Sequence, residues 1–188
     1  MTAPTRVAGW GRLADGSVVT WTVSAGRRGR RWREVIARGT DTVHALLLET
    51  DPDGRFGHLE LARADGLWTF HPEGDGTLHG NHVRAGEPDV RHVVGWPFAP
   101  DDVLLVEGSP VSGAAIAWRR RSSQPEGAVE DAAGVAIGPG GALERRSQMR
   151  IERSSRTRWR IGEGSPFEID EAGLPLLDGG ASHPLELA

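Results

Sequence analysis

Turn residues punctuate this chain. Its 26 glycines and 12 prolines recur every eight to twelve residues or so. Between them, apolar and polar side chains mostly alternate, the period of a half-buried strand. Few segments carry a helical period, and the spacing leaves little room for helices. The expectation is an all-β fold: a single-domain antiparallel β-roll or barrel of about a dozen short strands. An open sheet that long would curl and expose its edges, which favours closure.

In order, the expected strands begin with Arg6–Leu13 and Ser17–Ser24 around Asp15-Gly16. A basic turn, Arg27 to Arg31, leads to Trp32–Arg38 and then to Thr42–Thr50, whose VHALLL core is apolar on both faces. Asp51-Pro52-Asp53-Gly54 is a turn, and Phe56–Ala62 follows. After Pro97-Phe98-Ala99-Pro100, Asp102–Glu107 and Ser112–Arg121 are expected to form a strand pair, with Ala114, Ile116 and Trp118 on one face. Ser122 to Ala132 reads as an exposed loop. Gly134–Ile137 and Leu143–Arg153 flank Gly-Pro-Gly-Gly, and Thr157, Trp159 and Ile161 face inward. Short strands Phe167–Asp170 and Leu174–Leu177 close a domain spanning 1–177. Residues 178–188 are expected to be a poorly ordered tail.

The stretch Gly66 to Trp96 holds four of the seven histidines and two of the seven tryptophans. It reads as three antiparallel strands, Leu67–His71, Thr77–Arg84 and Val90–Trp96. With Asp75-Gly76 as a tight hairpin turn, paired residue numbers add to an odd sum. Trp68, Phe70, His79, Asn81 and Val83 then share one face. This set is the more aromatic, so it is expected inside, with Val90, His92, Val94 and Trp96 pointing in from the third strand. The candidate ligand-binding set is Trp68, Phe70, His79, Asn81, His92, Trp96 and Trp118. Its mix of aromatic wall and few polar groups suits a small-molecule site.

Composition excludes several classes. There is no cysteine, which removes disulfides and thiolate metal sites and fits a reducing, cytoplasmic setting. The N-terminus lacks an apolar core for a signal peptide, and no apolar run is long enough to span a membrane. The 22 cations, all arginine, against 26 acids give a net charge of −4, which argues against nucleic acid as the main partner.

The C-terminal part, QMRIERSSRTRWRIGEGSPFEIDEAGLPLLDGG, resembles the ending of the glycolipid-binding family of bacterial β-roll proteins. Gln148, Arg150, Trp159, Phe167, Ile169, Asp170, Gly173 and Leu174 carry the likeness. Further likeness lies in Asp65-Gly66-Leu67-Trp68 with Leu78-His79-Gly80, in Pro97-Phe98 and in DVLLVEGSPVSGAAIAW. The likeness runs from about Trp32 to Leu177. The family's Thr-Asn-x-Leu-Pro run is absent, replaced by Ala99-Pro100-Asp101-Asp102, and so are its tyrosines. The resemblance implies a curved β-roll with an apolar cavity, akin to the lipoprotein carriers of bacterial envelopes.

For chemistry, the odd register separates His71 and His82 from His79, so no zinc site is expected. No cofactor is implied. Ser109 and Ser112 lie outside any Gly-x-Ser-x-Gly elbow, and no glycine-rich phosphate loop opens a helix. The function that fits best is non-enzymatic binding of a lipophilic, amphipathic small molecule. A small barrel enzyme (cyclase, isomerase or hydrolase) using His79 and His92 is the first alternative. A structural or interaction module is the second.

Overall fold

The computed structural model describes residues 5–87 and 89–185. It is 60% strand with one short helix, against the 20–25% strand of an average domain. The chain divides into two compact units, Met1–Ala99 with Leu177–Ala188, and Pro100–Leu176.

The first unit is a nine-stranded sheet in which every neighbouring pair is antiparallel. Strands β1 (Thr5–Arg12), β2 (Val18–Gly26), β3 (Gly29–Arg38), β4 (Asp41–Thr50), β5 (Phe56–Arg63), β6 (Gly66–Pro72), β7 (Thr77–Arg84) and β8 (Val90–Pro97) run as a meander. The last strand of the chain, β15 (Asp178–Pro184), pairs with β1. Its pairing replaces the poorly ordered tail expected from Asp178: Gly9 and Trp10 lie opposite Ser182 and Ala181. Alternation sets the core. Val19, Trp21 and Val23 of β2 are buried together, as are Trp32, Glu34 and Ile36 of β3 and Leu46 and Leu48 of β4.

The β6–β7 hairpin has the opposite register to the expected one. Trp68 lies opposite His82, Phe70 opposite Gly80 and His71 opposite His79, so the paired sum is even. The turn is the cause. The Glu73 amide donates to the Thr77 carbonyl at 2.7 Å, leaving three residues, Gly74-Asp75-Gly76, in the loop. Gly76 takes the left-handed conformation at φ +81°, the usual form of a three-residue hairpin loop. One residue more than a two-residue turn flips every later side chain to the other face. Trp68 and Phe70 are therefore buried as expected, but with Leu78 and His82; His79 is exposed. In β8, a register shift beside Asn81 places His92 opposite Asn81. His92 and Val90 are exposed and Trp96 is half-buried. The Val94 side chain lies outside the described residues.

The second unit is a six-stranded sheet in the order β14-β13-β12-β11-β10-β9, curled as a half-barrel. Its strands are β9 (Val103–Val106), β10 (Val129–Ile137), β11 (Leu143–Arg153), β12 (Arg158–Ile161), β13 (Phe167–Ile169) and β14 (Pro175–Leu176). Neighbours are antiparallel except β9 and β10, which are parallel. A parallel pair needs a crossover, and here it is helix α1 (Pro110–Arg120). The strand expected over Ser112–Arg121 is thus a helix. Ser109 caps it, its Oγ accepting from the Ser112 amide at 3.0 Å. Pro110 stands in its first turn and Arg119 and Arg120 in its last, each suited to that end. Val111, Ala114, Ala115 and Trp118 recur at helical spacing. The loop expected over Ser122–Ala132 is partly ordered: β10 begins at Val129, and Gln124 is buried with its amide donating to the Ile151 carbonyl at 2.9 Å.

Candidate functional site

Two rows of side chains cross the buried face of the nine-stranded sheet. In the first, Gly9 lies opposite Trp21, Trp21 opposite Glu34, and Glu34 opposite Leu46. The row continues through Leu61 and Trp68 to His82. In the second, Val23, Trp32, Leu48, Leu59, Phe70 and Gly80 follow one another in the same way. At about 4.8 Å between strands, the six steps from Gly9 to His82 span roughly 29 Å if laid flat. The first row mixes aromatics with polar groups, while the second is apolar apart from the Trp32 indole N–H.

Gly9 is what lets Trp21 lie flat on the sheet; a Cβ there would sit 2.2 Å from the indole ring. At the other end the His82 imidazole stacks on Trp68, with centroids 3.8 Å apart and planes within 8°. Trp68 in turn stacks with Phe70 at 6.3 Å.

Glu34 and His44 form a buried pair beside this row. His44 Nε2 lies 2.8 Å from Glu34 Oε1, and the residues are 1% and 4% exposed. Regular pairing brings them together: Glu34 lies opposite Leu46 and Ile36 opposite His44, which makes Glu34 and His44 diagonal neighbours on one face. Just beyond them Ala37 pairs with Thr42, so Val43 is an extra residue. The imidazole N–H donates to the carboxylate, which fixes the ring's orientation.

Three ring nitrogens of the first row are buried without a hydrogen-bond partner among the described residues: Trp21 Nε1, Trp68 Nε1 and His82 Nε2. Asp65 Oδ2 is 4.0 Å from His82 Nε2, beyond hydrogen-bond reach. Buried donors are rarely left unsatisfied, because each costs about 1–3 kcal/mol.

Of the seven residues expected to line a ligand site, Trp68 and Phe70 lie on this buried face. His79, Asn81 and His92 lie on the opposite face, His79 beside His71 with rings 6.1 Å apart. His79 is also the more exposed of that pair, the reverse of the expected order. Trp96 lies opposite Leu78. Trp118 belongs to α1 in the other unit, seated on Gly173, where a Cβ would be 2.5 Å from its ring. Sequence reasoning missed Trp21, Glu34, His44 and His82. A signal was present: in Trp32-Arg33-Glu34-Val35-Ile36, alternation puts an acid between two inward apolar residues.

In the second unit a cavity of about 390 Å³ opens between the end of β9 and the start of α1. Leu105, Pro110, Ile161 and Phe167 line it, with Glu107 and Glu163. Arg146 holds Glu107 at 2.8 Å. Ser112 is engaged structurally, its Oγ accepting from the Val106 amide at 2.9 Å. Among the described residues, no cluster of three or more His, Asp or Glu could hold a metal. No helix of these residues is long and apolar enough to cross a membrane.

No family model matches this sequence, and no curated protein matches it. A solved structure, that of a DUF1089 family protein from Pseudomonas aeruginosa, is similar at 15% identity, with a TM-score of 0.48. The alignment covers 93% of this chain and 89% of that one.

Proposed function

We propose that the first unit binds an amphipathic, lipid-like molecule along the buried face of its nine-stranded sheet. The observation that carries this is the row of unpartnered ring nitrogens, Trp21 Nε1, Trp68 Nε1 and His82 Nε2, set in aromatic surroundings. A polar head at the stacked Trp68–His82 end would satisfy those two nitrogens, a polar group further along the ligand would meet Trp21 Nε1, and an apolar chain would lie along Trp32, Leu48, Leu59 and Phe70. The lack of cysteine supports a cytoplasmic setting. The test is tryptophan emission titrated with lysophosphatidylcholine, alongside native mass spectrometry of the purified protein for a co-purified ligand. Saturable quenching is expected, weakened about tenfold, roughly one hydrogen bond to a ligand group, in Trp68→Phe, which keeps the ring and loses the N–H. Arg156→Ala, exposed in the second unit, should leave affinity unchanged. Equal effects of the two would reject this site.

One observation favours a second reading, a small enzyme such as a hydrolase or isomerase. The buried Glu34–His44 pair is an imidazole oriented by a carboxylate, an arrangement that serves general acid–base chemistry. It takes the place of His79 and His92, which lie on the exposed side. A substrate whose turnover, but not binding, is lost in His44→Gln would establish it.

A further inference from the structure

The solvent-facing side of the same sheet carries a groove of about 560 Å³ around the β2–β3 hairpin. Arg6, Arg28, Arg30, Arg31 and Arg33 line it, against one carboxylate, Glu49. The local register builds it. Arg6 lies opposite Ser24, Ser24 opposite Arg31, and Arg31 opposite Glu49, while Arg33 lies opposite Thr22. Arg28 projects from the two-residue hairpin loop between Gly26 and Gly29. Glu49 is occupied by Arg31, at 2.5 Å. The Arg30 guanidinium packs over the Trp32 ring at 5.3 Å. Arg6, Arg28 and Arg33 have no carboxylate partner among the described residues. With Arg30 turned onto Trp32 of the buried face, four cations meet one acid in the groove, and in a chain of net charge −4 that is an imbalance an anion would relieve. Guanidinium forks match phosphate oxygens in geometry.

An apolar row crosses the same face. Trp10, Val35, Leu67 and Val90 are 42%, 40%, 38% and 56% exposed. They fall in one register line, which passes through Thr20, Ala45, Ala62 and Val83. Val35 stands two residues from Arg33, so the apolar line borders the groove. Exposed apolar residues aligned in this way mark an interaction surface. A second copy of the chain would bring arginine-rich faces together, which like charge opposes. An anionic lipid surface offers both complements, phosphates for the guanidiniums and an acyl boundary for the apolar line.

We propose that this face docks on anionic phospholipid, with a headgroup phosphate held in the arginine groove. This concerns the side of the sheet opposite the buried rows and stands independently of the ligand reading. The full-length protein is tested by co-sedimentation with vesicles of mixed phosphatidylglycerol and phosphatidylcholine, and with vesicles of phosphatidylcholine alone. Binding is expected to the mixed vesicles only, and to fall as salt rises. The double variant Arg28→Glu, Arg33→Glu should weaken it at least tenfold. The double variant Arg156→Glu, Arg158→Glu in the second unit carries the same change in net charge and should stay within about twofold. All four arginines are exposed, and thermal melts check that the variants fold. Absence of binding to mixed vesicles would overturn the proposal, even if inorganic phosphate bound the groove. So would equal weakening by the two double variants, or equal binding to the neutral vesicles.

Discussion

Glu34 and His44 show what a single buried position demands. Their 2.8 Å contact lies on a mostly apolar buried face. Taking one partner from such a pair leaves the other buried without its hydrogen bond, which typically costs about 1–3 kcal/mol. Glu34→Ala is therefore expected to lower the unfolding free energy by about that amount in urea denaturation. The double variant Glu34→Leu, His44→Leu should recover most of it, since apolar replacements of both partners are often neutral. If the double variant proved as unstable as the single one, the pair would owe its stability to something other than mutual compensation. A stable double variant that no longer quenches with lysophosphatidylcholine would tie the pair to the ligand.

At the scale of the element, a turn decided which residues face the core. Asp75 holds the β6–β7 loop by accepting from the Thr77 hydroxyl at 2.6 Å and the Thr77 amide at 3.0 Å. Those bonds, the hydroxyl's first, hold its carboxyl below the ordinary value of 3.8. A carboxyl lowered in the folded state stabilises fully above its unfolded value. That contribution is lost as pH falls through the folded value. The melting temperature should therefore drop below about pH 4, and Asp75→Asn should flatten part of that acid limb. Identical acid limbs in the two proteins would mean the loop's bonds do not depend on the charge. The Asp-Gly pair made this turn visible in the sequence, but its loop length was not. Two- and three-residue loops suit the same residues, and the choice between them is made by which strand faces can be buried.

At the scale of the molecule, the first unit is discontinuous in sequence: β15 returns after Pro100–Leu176 to pair with β1. Without it, β1 would become a sheet edge carrying exposed Trp10, and bare edges invite aggregation. A chain ending at Leu177 should therefore melt lower than the full chain and elute as larger species in size-exclusion chromatography as concentration rises. An unchanged melting temperature would show that β15 adds nothing to the sheet.

Alternation and glycine spacing determined, from sequence alone, that the chain is mostly strand and that Trp68 and Phe70 are buried. Both follow from local rules, a side-chain period of two and the backbone freedom of glycine. The tertiary structure decided three further things. Ser112 to Trp118 is small and apolar enough to suit strand or helix, and the parallel pairing of β9 with β10 required a crossover, which made it a helix. His79 went to solvent because one extra loop residue inverted β7, and His92 because a register shift in the β7–β8 pairing sets it opposite Asn81 on the same outer face. Glu34 met His44 diagonally across the β3–β4 pairing, a contact between residues ten apart that no local pattern encodes, because register across strands depends on the packing of the whole sheet.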